Sequence, residues 1–140
     1  MSLIHGSRGL IYFVHEWQPK FNESALLSDP EMLAAVTALN RQITSLAPVL
    51  NSLTVTEVAQ VHSDNPEAPV ALLVKRHEGS IYLFAVGLRD GKTTATFTVH
   101  NLPGDKTVTV LDENRTVISQ NGVFRDAFAP SEVHLYRIGL

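Results

Sequence analysis

From residue 53 onward the chain is cut by turn-forming pairs, and no other feature constrains its fold as tightly. Glu78-Gly79, Asp90-Gly91, Pro103-Gly104-Asp105, Glu113-Asn114 and Asn121-Gly122 punctuate the sequence. Their spacing is roughly ten residues, the rhythm of an all-β sandwich or open barrel. The intervals Val70–Arg76, Ile81–Leu88, Thr93–His100, Thr107–Asp112, Thr116–Ser119 and Val133–Ile138 are predicted strands. Within Ala95-Thr96-Phe97-Thr98-Val99, apolar residues alternate with threonine. A period of two places Phe97 on the core face. Asp90-Gly91 is expected to close a two-residue type I′ hairpin between its flanking strands, with Gly91 at positive φ.

Residues 4–52 differ. Gly9-Leu10-Ile11-Tyr12-Phe13-Val14 is apolar without alternation, which suits a strand buried on both faces. Gln18–Asn22, with Pro19, is polar and is expected to be a loop. Ser28-Asp29-Pro30-Glu31 then provides a Ser or Asp N-cap, an early proline and a first-turn acid. Met32, Val36, Leu39, Ile43, Leu46 and Leu50 follow at steps of four and three. Such a stripe predicts a helix over 29–50 packed on a sheet, its last turn distorted or shortened by Pro48. The predicted fold is mainly β: an antiparallel β-sandwich over 53–140, preceded by one amphipathic helix and a leftover barrel-type strand in 4–52.

Composition narrows function by exclusion. The formal net charge is −3, with no basic run, so nothing offers the cationic face that nucleic acid requires. The absence of cysteine rules out disulfides, thiol catalysis and Cys-based zinc sites. Apolar stretches are far shorter than the ~20 residues that span a bilayer. The compartment is left open.

Few residues carry chemistry. None of the six histidines sits at a metal-ligand spacing, and His77 and His100 belong to turns or strand ends. Gly6-Ser7-Arg8-Gly9 leads into an apolar run rather than a helix, so it is no phosphate loop. Neither a nucleotide fingerprint nor a nucleophile elbow is present. No cofactor and no metal are expected. Glu16 directly follows the apolar run, where a barrel enzyme places functional side chains. Glycoside hydrolysis needs two carboxylates, and no second one pairs with Glu16 by spacing. Asp112, Glu113 and Asp126 are expected to be turn-forming and solvated.

Three groups of residues carry a resemblance. His5-Gly6-Ser7-Arg8-Gly9-Leu10-Ile11-Tyr12-Phe13 resembles the last barrel strand of bacterial (β/α)8 glycoside hydrolases, with its H-G-x-x-G lead-in. The helix running into Leu46-Ala47-Pro48-Val49-Leu50 resembles their final barrel helix. Glu113-Asn114-Arg115, Gly122–Phe128 and Glu132–Ile138 are similar to the accessory β-domain behind such barrels. The resemblance implies a C-terminal part that lacks both catalytic carboxylates, since barrel strands four and seven would precede residue 1. It further implies that Trp17, with His15 and Glu16 beside it, contacts substrate in the intact parent, Trp17 as a sugar platform.

The expected role is therefore a non-catalytic accessory domain that covers or stabilises a catalytic barrel, its main partner. Carbohydrate is a second expected partner, and self-association through residues 10–14 a third. The rival functions are a carbohydrate-binding module, which two or more exposed coplanar aromatics would favour, and a strand-edge interaction domain. A bare apolar flank on residues 10–14 would favour the accessory-domain reading.

Overall fold

The computed structural model describes all 140 residues. Two helices, α1 (Ala25–Ser28) and α2 (Pro30–Leu50), precede nine strands. The strands are β1 (Leu53–Thr54), β2 (Ala59–Ser63), β3 (Val70–His77), β4 (Ser80–Gly87), β5 (Thr93–Val99), β6 (Lys106–Val110), β7 (Arg115–Ser119), β8 (Val123–Phe128) and β9 (Val133–Gly139). They form a six-stranded sheet, ordered β1-β3-β4-β9-β6-β7, and a three-stranded sheet, ordered β2-β5-β8. Every pairing is antiparallel, so the predicted mainly-β sandwich is the observed architecture.

The core fills the space between the sheets. Ala95, Phe97 and Val99 of β5 point inward, as their alternation with threonine requires. The Phe97 ring stacks on Phe124 of β8 at 4.8 Å and tilts against Tyr136 of β9 at 5.1 Å. Strand β4 is apolar on both faces because both are covered. Ile81, Leu83 and Ala85 face the other sheet, while Phe84 packs outward against Val49 of α2 and Leu135 of β9.

Helix α2 begins where the sequence places it. Asp29 caps it, its carboxylate accepting from Met32 N at 2.9 Å, and Pro30 stands at the first helical position. The helix runs two residues past Pro48 to Leu50, so the proline does not shorten it. Only the C-terminal end of the apolar stripe finds the sheet: Leu46 and Leu50 pack there beside Val49, which lies outside the stripe, whereas Met32 and Leu39 are exposed.

Two expectations fail on pairing. Residues 10–14 form no strand. No backbone hydrogen bond involves them, and a strand exists only with a neighbour to complete its ladder. Asp90-Gly91 closes no hairpin, because β4 and β5 lie in different sheets. The segment crosses between layers, and Gly91 is required by closeness instead: a Cβ there would stand 2.9 Å from Ala68 Cβ. Two-residue turns of the expected type are Glu78-Gly79, at φ 44° and 69°, joining β3 to β4 through the pair His77 and Ser80, and Asn121-Gly122, at φ 49° and 85°, across which Gln120 and Val123 exchange backbone hydrogen bonds.

Candidate functional site

His15, Glu16 and Trp17 stand together on a short loop outside both sheets. Glu16 and Asn22 exchange two backbone hydrogen bonds, of 3.1 and 2.9 Å, which close the loop. The closure gathers aromatic rings: His15 lies nearly parallel to Phe21 at 5.8 Å, and Trp17 tilts 40° against Phe21 at 4.9 Å. Phe13 joins through His15 at 4.9 Å. These rings are exposed, Trp17 by 69% and Phe13 by 73%. Glu16 makes no ion pair, and its backbone, not its carboxylate, shapes the loop. The cluster offers an apolar contact surface. No group of three or more His, Asp or Glu side chains is arranged to hold a metal.

The most organised polar cluster lies at the seam between the sheets. Arg115, which opens β7, reaches across to Asp126 on β8 with two parallel hydrogen bonds: Nη1 to Oδ1 at 3.1 Å and Nη2 to Oδ2 at 2.7 Å. Its Nε donates to Glu113 Oε2 at 2.7 Å. Such a fork holds a carboxylate in plane and at fixed distance. Tyr136 Oη donates to Asp126 Oδ2 at 2.9 Å, and Ala127 N donates to Asp126 Oδ1 at 3.0 Å. His134 places Nδ1 2.6 Å from Glu113 Oε1 and Nε2 3.1 Å from the Ala127 carbonyl. Asp126 thus accepts at both oxygens twice over, a full complement for a carboxylate. Its hydrogen bonds, ahead of the opposing effect of burial, raise the Arg115 pKa above its ordinary value. Burial, then the charge of Asp126, raises that of the Tyr136 hydroxyl. Chemically the arrangement is a clamp between sheets, with its carboxylates occupied by protein donors.

The expectation that Glu113 and Asp126 are solvated is therefore corrected, since both are engaged by Arg115 and the Asp126 side chain is only 12% exposed. Sequence offered one signal for this cluster. Tyr136 shares the inward face of β9 with Ile138, and a buried tyrosine needs a partner for its hydroxyl.

No family model matches the chain, and no curated protein is detectably similar to it in sequence. Among solved structures, the fold is similar to part of an Anoxybacillus alpha-amylase, described as giving insights into a new glycosyl hydrolase subclass. The TM-score is 0.53 and the identity 16%. The match covers 79% of this chain and 23% of the amylase chain. The likeness is one of fold, to a minor part of a larger glycoside hydrolase.

Proposed function

We propose that this chain is a non-catalytic C-terminal accessory unit of a glycoside-hydrolase-like protein, with residues 4–52 derived from the catalytic barrel and residues 53–140 forming the accessory sandwich. The observation that carries this is the bare apolar surface ahead of the sandwich. No residue before Val49 is buried, and ten of the fifteen exposed large hydrophobic residues lie within 1–39. Ile11 is fully exposed. The accessible surface is 8960 Å², against about 7,200 Å² for a compact monomer of this mass. The excess is about 1,800 Å², more than the roughly 800 Å² that each partner contributes to a standard interface. Exposed apolar residues gathered in one segment fit a surface that a partner covers. The alpha-amylase likeness supports a barrel as that partner.

A second reading, sugar contact by the aromatic loop, has one observation in its favour: the exposed Trp17 ring. Of the sandwich aromatics, Phe84, Phe97, Phe124, Phe128 and Tyr136 are buried, and Tyr82 is half-buried against the Val49 cluster.

The test expresses this chain together with the polypeptide encoded upstream of residue 4, as two separate chains. The account expects a (β/α)-patterned upstream polypeptide that co-purifies with this one, and loss of co-purification when residues 1–24 are deleted. An upstream region without that pattern, or a stable homodimer through residues 10–14 that excludes it, overturns the reading.

A further inference from the structure

A groove of about 1060 Å³ runs between the Leu3–Tyr12 segment, the C-terminal half of α2 and the β1–β3 edge. It is distinct from both the aromatic loop and the Arg115 clamp. Tyr12 Oη donates to Asn40 Oδ1 at 3.0 Å and ties the segment to the helix at one end. Ile43, Leu50 and Leu73 give the groove apolar walls.

Its floor contains a charge that the fold does not neutralise. Lys75 lies on the outward face of β3, between Thr54 of β1 and Tyr82 of β4, and is 8% exposed. Its Nζ donates once, to Ser52 O at 2.9 Å, and pairs with no carboxylate. An ammonium has three donors, so two remain. The nearby C-terminus of α2 supplies only a fraction of a negative charge. A buried lysine without an anion is costly, which is why buried charges are paired. The second cation on the groove is Arg8, and none of the seventeen lining residues is acidic.

We propose that this groove binds a small amphipathic anion: a carboxylate on an aliphatic or aryl body. The carboxylate takes the free donors of Lys75, with Arg8 at the rim adding long-range attraction. The body lies along Ile43, Leu50 and Leu73. The volume is that of a cleft for one small organic molecule, and cations combined with apolar walls select an anion that carries hydrocarbon over a bare one.

The test titrates the intact chain with 4-phenylbutyrate and, separately, with 4-phenylbutan-1-ol, read by amide chemical shifts. The acid is expected to give saturable shifts at Asn51, Ser52, Leu53 and Leu73. The alcohol should bind at least about tenfold more weakly, the effect of losing a charge-assisted hydrogen bond. Lys75→Met should weaken the acid by a similar factor and Lys75→Arg should retain it. Arg8→Glu changes an exposed side chain and should also weaken the acid, so it decides the matter if Lys75→Met fails to fold. Equal affinity for acid and alcohol, unchanged binding in Arg8→Glu, or shifts confined to residues 13–21 would overturn the proposal.

Discussion

Tyr136 and Asp126 meet at the seam of the two sheets, the tyrosine hydroxyl donating to Asp126 Oδ2 at 2.9 Å from a ring with no exposed surface. Burial and the aspartate charge hold that hydroxyl protonated well beyond its ordinary range. In the unfolded chain the same group ionises near pH 10. Above that pH the folded state therefore binds the extra proton, so stability is complete below about pH 10 and falls as pH rises further. The Tyr136 contribution to the slope is about 1.4 kcal/mol per pH unit. Tyr136→Phe should be less stable at pH 7 yet show a shallower alkaline decline. Urea melts from pH 7 to 11.5 check this, and parallel declines would contradict it.

Glycine requirements should rank by surroundings. Gly122 has φ +85°, and a Cβ there would overlap the Val99 carbonyl oxygen. Gly104 has φ +65° but open space around it, and Gly91 has ordinary φ but Ala68 close by. Gly122→Ala should cost about 3 kcal/mol or more. Gly104→Ala and Gly91→Ala should each cost about 1–2 kcal/mol. Thermal melts of the three variants give the order, and a Gly122→Ala protein as stable as the other two would refute it.

Ser119 is wholly buried on β7, and its hydroxyl has no hydrogen-bond partner. An unpaired buried hydroxyl costs about 1–3 kcal/mol. Ser119→Ala should therefore leave stability unchanged or raise it by about 1 kcal/mol. A loss of more than about 1 kcal/mol in urea melts would mean that the hydroxyl is satisfied in solution.

Local pattern was legible in the sequence; partnership was not. The Ala95–Val99 alternation gave the face of Phe97, and Asp29-Pro30 gave the start of α2, because each depends on neighbouring residues alone. Asp90-Gly91 shows where the chain turns but not whether it stays in its sheet. Strands β2 and β8 carry weak local signals. In Val123–Phe128 the charged pair Arg125-Asp126 interrupts the apolar pattern, and Ala59–Ser63 offers only Ala59 and Val61 as apolar residues. Both belong to the three-stranded sheet, so local pattern does not place it. The Arg115 clamp draws on residues 113 to 136 from three strands, and no single window contains it. Residues 10–14 show hydrophobicity that calls for burial without naming what buries it.

The central claim is that the sandwich serves a catalytic body it does not itself contain. The most direct measurement is thermal inactivation of glycosidase activity in the continuous protein encoded from upstream of residue 4, with and without residues 53–140. The account predicts that turnover persists without the sandwich but is lost faster on heating, and that the 140-residue chain alone hydrolyses no aryl glycoside. Turnover by the chain alone that disappears in Glu16→Gln, or equal inactivation rates for the two long proteins, would contradict it.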